Sequence, residues 1–582
     1  MARCSLPSSN KERGRIVAIR GRDREFRFPQ VSYVDYKQID IDRTLLNLFP
    51  RLKFGGYLGR VKKLSFQLNI ESFLGEIIDN KNKKIFIGFA DHPEVVRKWL
   101  ETDLLDLVHR GRPKQAVVSP RPLHGNIYKF RNTDHARDYN TSEHVYWMLY
   151  HAHKGQDVLS ELKKFLFPDM DWNTDKVQQT TTKIDVETQV ILHFDAQVKD
   201  DTSDNSKPLE SYPPLCIHQA NLFAEDILRL LAYENYIPRS VLVDYLKTLF
   251  AFHLALYHLR IFKLLPELVK RPRGNTFCQV KNCPLVQTKI GRQTECPHVT
   301  GLVVEMGDAT NKHMLELARR STDAQYRRIP PFIQAQYIVK NLDDLVKHQL
   351  KVRKIVVPAR GYFSVPELLQ FLEKPYELER EKFFGSRLKE LIEKNESESE
   401  GGVMSPEVRR ITELGLDDFE ACIEITMVNR VQFHRRYITE CIDSLLLKNR
   451  DAGLLRQART RESPRRFTLG SRLLEVLLQI AVLRPQGTSF ATQELRIDDL
   501  LTFLRDRYGL HIDSLPAGDG FDKPSITDSQ ALKRNKEAFK MRLREIGFFQ
   551  DLSDAYITQT VTPRYTITQD APSSKKVLEG KK

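Results

Sequence analysis

The chain has 582 residues, 41% hydrophobic and 29% charged, which is enough for several cores in roughly three to five domains. Its seven cysteines, an odd and low count, exclude a secreted disulfide framework and fit a reducing cytosol. The formal charge of +15 is regional: residues 1–70 hold 15 basic against 6 acidic side chains and residues 430–466 hold 10 against 4, so the remainder balances, as expected for two sites that meet a polyanion.

The N-terminus, MARCSLP, lacks the apolar core of a signal peptide. Runs at 15–19 and 84–89 have strand character, and 93–109 has helical periodicity opened by Pro93. An α/β unit is therefore expected over 1–135. Within it Arg13, Arg15, Arg20, Arg22, Arg24 and Arg27 interleave with Phe26, Phe28 and Tyr33, a pattern suited to phosphate contacts with base stacking. A basic arm, or the solvated face of a first hairpin, would read the same way.

Residues 136–270 read as a helical domain, with a helical region at 141–167, a polar break at 200–214 and long helices over 219–269 that turn at 235–238, with Ser240 as N-cap. Leu242, Leu246, Leu249, Phe252, Leu256 and Leu259 recur at three and four, so one face is a core stripe. The uncharged stretch 248–259 is too short for a bilayer, and with His253 and His258 inside it reads as a buried helix; no membrane partner is expected.

A Cys/His cluster with a mixed α/β region is expected over 271–393. Cys278, Cys283, Cys296 and His298 could hold one tetrahedral zinc ion of structural type, with Gly274, Pro284, Gly291 and Pro297 bending the chain and Cys216 and His218 in reserve. Ordinary buried thiols are the alternative. A strand at 301–306 follows, then a helix at 311–320, where Glu305 and Asp308 invite comparison with the acidic ligands of a nuclease. Beyond it a helix at 330–350, a strand at 353–357 and a helix at 364–372 lead to a linker at 394–405.

The basic helical segment 406–466 contains a long helix at 417–448, with Met427, Val431, His434, Ile438, Cys441 and Leu445 on one side. Arg435, Arg436, Lys448, Arg450, Arg456, Arg459, Arg461, Arg465 and Arg466 lie in or after it and form the strongest polyanion signal; solvated surface is the bland reading. From 467 to 582, helices at 471–483, 494–508 and 535–546 followed by extended runs at 548–561 and 564–567 have the order of a winged-helix module. Its third helix would present Lys533, Arg534, Lys536, Lys540, Arg542 and Arg544 to DNA, although many such modules bind protein. The fold class expected is α+β multidomain, predominantly α-helical, with an N-terminal α/β unit, a central helical region with the Cys/His cluster, and a C-terminal winged-helix-like domain.

Three stretches, 467–479 (FTLGSRLLEVLLQ), 497–509 (IDDLLTFLRDRYG) and 535–556 (NKEAFKMRLREIGFFQDLSDAY), resemble the C-terminal part of a component of bacterial methylation-associated antiphage defence systems. The resemblance implies a cytoplasmic protein working beside a DNA methyltransferase, ATPases and other subunits, as in restriction-modification. It transfers no active-site residue, because the shared motifs are packing signatures. The chain has no phosphate-binding Gly-rich loop ending in Lys-Ser/Thr, no Gly-x-Ser-x-Gly elbow and no His-Glu-x-x-His zinc helix. A non-catalytic subunit that binds DNA and its sister subunits is the expected function. A metal-dependent nuclease built at Glu305 and Asp308, or a pure protein scaffold, are the alternatives.

Overall fold

The longest apolar stripe in the sequence becomes the helix Arg239–Lys270, where Leu242, Leu246, Leu249, Phe252, Leu256 and Leu259 are all buried. It is long and apolar enough to cross a membrane, yet 94% of its most apolar window is buried inside the fold, so it is a core helix. It starts at Arg239, which places Ser240 in its first turn and not at the N-cap. The computed structural model describes residues 26–61, 68–79, 86–108, 115–174, 176–177, 185–195, 200–201, 209–270, 300–307, 311–398, 403–458, 463–487, 489–549 and 560–567. The fold is predominantly helical, 60% helix and 8% strand, with two-stranded sheets. Its residues divide into two units, one within 1–28, 264–277 and 329–438, the other within 29–263, 278–328 and 439–582.

In the larger unit the helix Ile41–Lys53 is capped by Asp40, whose carboxylate accepts from the amides of Asp42 and Arg43. It buries Leu45, Leu46, Leu48 and Phe49 beside the helix Thr141–Tyr150, and Asn47 Nδ2 donates to the Ala136 carbonyl at 2.8 Å. Helical periodicity at 93–109 is realised only as Pro93–Trp99; a π turn at Leu100–Leu104 then leads into the strand Leu105–Val108, paired antiparallel with Ala116–Pro120. The Leu-Asp-Leu-Val run has strand alternation, and antiparallel pairing with the next strand along the chain outweighs its helical phase. The strand expected at 84–89 is, from Phe86 onward, a bend and the 3-10 turn Phe89–Asp91. The run at 15–19 lies outside the described residues.

The helix Ile217–Leu231 lies in the same unit and carries Asp226, which is fully buried. Asp226 Oδ1 accepts from Arg507 Nε at 3.1 Å and Nη2 at 2.5 Å, while Oδ2 accepts from the Tyr508 hydroxyl at 2.7 Å and from His253 Nε2 at 3.0 Å. Gln219 Nε2 completes the chain by donating to His253 Nδ1 at 2.7 Å. Burial works against a charged Asp226, but the Arg507 guanidinium and the His253 bond outweigh it and hold the carboxyl below its usual range. This Gln-His-Asp relay has no exposed member, so it serves as a clamp between three helices, Ile217–Leu231, Arg239–Lys270 and Ile497–Tyr508.

The C-terminal segment does not stand apart from what precedes it. Leu302–Val303 pairs in parallel with Leu510–His511, and Glu305 bridges to Thr468. Asn535 ties the arrangement together: its Oδ1 accepts the Met306 amide at 2.9 Å and its Nδ2 donates to the carbonyls of Val304 and Ile512 at 2.9 and 2.8 Å. Val303, Met314, Leu317, Phe521, Ala531 and Leu532 form one apolar cluster there. The helix expected to begin at 535 begins at Ile526, nucleated by a capping box in which Ser525 and Asp528 satisfy each other's backbone amides. The hairpin Leu483–Gln486/Ser489–Thr492 stands between the first and second helices, and Thr560–Val561 pairs with Leu495–Arg496; most of the extended run expected at 548–561 lies outside the described residues.

In the smaller unit the helices Glu377–Glu398, Pro406–Glu413 and the first part of Asp418–Leu445 meet around Val408, Ile411, Ala421 and Ile425, and the helix Val365–Gln370 packs on Ile329–Lys351. The first five residues of the expected linker 394–405 are the end of the helix Glu377–Glu398. His434 is a core residue, as its position on the apolar stripe implied: it is stacked on Phe26 at 4.2 Å and bonded to the Tyr337 hydroxyl at 2.8 Å.

Candidate nucleic-acid interface

The basic segment after the long helix is built as a hairpin with a locked base. The helix Asp418–Leu445 ends through left-handed Leu447 and Asn449. Leu455–Arg456 then pairs antiparallel with Arg466–Phe467. Asn449 reads the backbone of the hairpin, its Oδ1 accepting the Gln457 amide at 2.8 Å and its Nδ2 donating to the Gln457 carbonyl at 2.9 Å. Gly453 fits against the carbonyls of Leu446 and Leu447 so closely that a Cβ there would come within 2.1 Å of one of them.

Two buried carboxylates set which arginines remain available. Asp443 receives Arg465 through Nε at 2.9 Å and Nη2 at 2.9 Å, Lys448 Nζ at 2.7 Å and the Tyr326 hydroxyl at 2.7 Å. Burial, then the Asp443 carboxylate beside it, push the Tyr326 phenol well above its ordinary pKa, so it remains a donor. Burial disfavours the charged form of Arg465, but its bonds to Asp443 more than offset this and raise its pKa. Glu305, 2% exposed, accepts from Thr468 Oγ1 at 2.9 Å, Arg466 Nε at 3.3 Å and the Gly307 amide at 2.5 Å. Arg465 and Arg466, expected to meet phosphate, are thus tied to internal carboxylates. Arg450 and Arg456 are exposed and make no ion pair to a described residue. Arg459 and Arg461 fall between the hairpin strands, outside the described residues.

The helix Ile526–Glu545 sorts its cations in the same way. Lys536 reaches Asp498 at 2.6 Å and Lys540 reaches Glu537 at 2.9 Å, whereas Lys533, Arg534 and Arg544 lie on the exposed face with Met541. Helical phase predicted a basic face, but the partner of Lys536 sits on another helix and could not be read from that phase. In the smaller unit Arg435 and Arg436 are both exposed, with Arg436 over the Tyr437 ring at 5.9 Å.

The N-terminal pattern is divided. Arg13, Arg15, Arg20, Arg22 and Arg24 lie outside the described residues. Phe26, Phe28 and Tyr33 are 7%, 6% and 4% exposed and cannot stack on bases. The interleaving of aromatic with basic residues marked the point where the chain enters the core, and burying the rings removes more apolar surface from water than a base could cover.

The metal ligands Cys278, Cys283, Cys296 and His298 lie outside the described residues, as does Asp308. Among the described residues no group of three His, Cys, Asp or Glu side chains could hold a metal ion. Cys216 and His218 are both buried, and burial, then Arg260 and Arg507, depress the His218 pKa to about 2.

A family model described as methylation-associated defense system protein MAD7 matches residues 21–565. No curated protein and no solved structure matches the chain.

Proposed function

From the premise that the chain belongs to this family of methylation-associated defense system proteins, we propose that it is a non-catalytic subunit that binds duplex DNA and its sister components in antiphage defence. The observation that carries the reading is the sorting of cations at the hairpin base. Asp443 and Glu305 consume Lys448, Arg465 and Arg466, which stiffens the hairpin, while Arg450 and Arg456 stay exposed and unpaired to described residues beside the Arg459 and Arg461 positions. A rigid base carrying exposed guanidinium groups suits contact with a phosphate backbone, and sequence choice would fall to another subunit. Lys533, Arg534 and Arg544 would add a second set of phosphate contacts, and Arg435 and Arg436 a third.

The test is duplex affinity of the full chain across a salt series, against a variant with Arg450, Arg456, Arg459 and Arg461 changed to Gln. Wild-type affinity should fall steeply with salt, and the variant's log–log slope should be shallower by about 3–4, at about 0.9 per lost phosphate contact. Equal slopes would assign the hairpin to protein contacts. The nuclease alternative loses support because Glu305 already spends both oxygens on Arg466, Thr468 and Gly307.

We also propose structural zinc at Cys278, Cys283, Cys296 and His298, since thiolate and imidazole donors suit a closed tetrahedral site. Metal analysis of the purified chain should find about one equivalent, and Cys278→Ser should lose both metal and stability. Far less metal, with stability unchanged in the variant, would remove zinc from the account.

A further inference from the structure

Arg260, on the helix Arg239–Lys270, is one of the largest buried side chains of the larger unit and only 2% exposed. Its Nε and Nη1 atoms have no hydrogen-bond acceptor among the described residues. The buried carboxylate of this region, Asp226, is engaged by Arg507, Tyr508 and His253. A water molecule would satisfy an N–H group of Arg260 but not its charge, and a buried guanidinium without a counter-charge is costly.

What Arg260 faces is the first turn of the helix Ile217–Leu231. The two helices are joined by the turn 232–238 and so run antiparallel. Their contacts set the register: His253 stacks on Phe223 at 5.0 Å, and one turn later the Tyr257 hydroxyl accepts from the Leu215 amide at 3.1 Å. Arg260 follows His253 by two turns on the same face, which places it over the start of Ile217–Leu231, and its side chain leans back towards His218. In keeping with that placement, Arg260 is the chief influence after burial in depressing the His218 pKa.

That turn is itself electropositive. Cys216 gives it no side-chain cap, and the amides of Ile217, His218 and Gln219 meet no backbone acceptor outside the helix among the described residues. All three residues are buried, and Gln219 is fixed by its bond to His253. A helix end alone is no site. Here an unpartnered, buried guanidinium is directed at one, and the two repel unless an anion stands between them.

We propose that Arg260 and the first turn of Ile217–Leu231 together bind a small inorganic anion, chloride or phosphate, which accepts from the guanidinium and from the amides of that turn. The anion would tie two antiparallel helices of the larger unit. The inference is independent of the DNA reading, because a guanidinium this buried is out of reach of a duplex.

The experiment titrates the full chain, equilibrated in sodium gluconate, with chloride or with phosphate at constant ionic strength, and follows hydrogen exchange and the melting temperature. At least one of the two should slow exchange in the peptide containing 217–219 by about 10-fold or more and, at about 100 times its Kd, raise the Tm by about 3 °C. Whichever acts is the ligand. Arg260→Met, close in volume and uncharged, should lose both responses and in gluconate should melt no lower than the wild type, since it removes a buried charge. Arg260→Lys keeps the charge without the planar fork and should bind about 10-fold or more weakly. Equal responses in the wild type and Arg260→Met would be a general salt effect and overturn the proposal. So would a wild type that responds to neither anion, a result that holds even if the variants prove unstable.

Discussion

Asp226→Ala is expected to cost about 3–5 kcal/mol of stability, because it leaves the Arg507 guanidinium buried with most of its compensation gone. The carboxylate has no exposure, and it holds Arg507, Tyr508 and His253 at once. Glu225, 3.1 Å from Arg507, is half-exposed and can recover only part of the loss. A double change, Asp226→Leu with Arg507→Leu, should recover at least half of the single-mutant penalty, since an apolar pair of similar volume escapes the desolvation cost that both ions bear. Chemical denaturation of the wild type, Asp226→Leu, Arg507→Leu and the double variant measures the coupling. A single-mutant loss below about 1 kcal/mol would mean that the clamp is peripheral to stability. A large loss would show that the clamp between the helices Ile217–Leu231, Arg239–Lys270 and Ile497–Tyr508 carries much of the stability.

The second large effect is acid sensitivity. His124, His144, His218 and His258 are buried in the larger unit, and each is held below the ordinary histidine pKa, burial being the main cause. His124 is lowered to about 3 and His258 to about 4. Their hydrogen bonds show why the neutral form is required. His124 Nδ1 accepts from the Asn126 amide at 3.1 Å while Nε2 donates to the Pro168 carbonyl, and His258 Nδ1 donates to the Leu254 carbonyl at 2.7 Å while Nε2 accepts from Ser32. A second ring proton would break one bond in each set.

The sign follows from which state takes up protons. These histidines stay neutral in the folded chain but protonate in the unfolded one below about pH 6.5, so their contribution is full above that pH and declines as the pH falls towards the folded values. Each ring kept neutral in the fold therefore costs stability as the pH falls below about 6.5, at about 1.4 kcal/mol per pH unit. The larger unit should lose stability progressively below that pH, and His124→Asn should make the pH dependence shallower. Denaturation midpoints that stay flat below about pH 6.5 would show that the buried rings reach solvent or a counter-ion when protonated.

Several elements were legible in the sequence because their signals are local. The stripe Leu242 to Leu259 gave a buried helix, Asn311 caps the helix Lys312–Tyr326, and the expected helices at 417–448 and 494–508 lie within a few residues of Asp418–Leu445 and Ile497–Tyr508. The strand expected at 353–357 failed for the opposite reason: strand propensity needs a partner, and none is supplied by the described residues. The start of the helix Ile526–Glu545 was missed because its capping box, Ser525 with Asp528, follows directly on a stretch rich in Gly, Pro and Asp.

The candidate interface was legible as composition and not as geometry. The excess of arginine between 430 and 466 marked the region, because charge is additive along a chain. Which arginines face outward depends on carboxylates far away in sequence: Arg466 is bound by Glu305 from 161 residues away, and Arg507 by Asp226 from 281. By itself, then, the sequence determined a helical class, a buried apolar helix and two basic regions, all properties set by neighbours within a few turns. The tertiary structure alone decided which cations are spent on buried carboxylates and which stay in solvent, because a salt bridge forms between positions that folding brings within about 4 Å, whatever their separation along the chain.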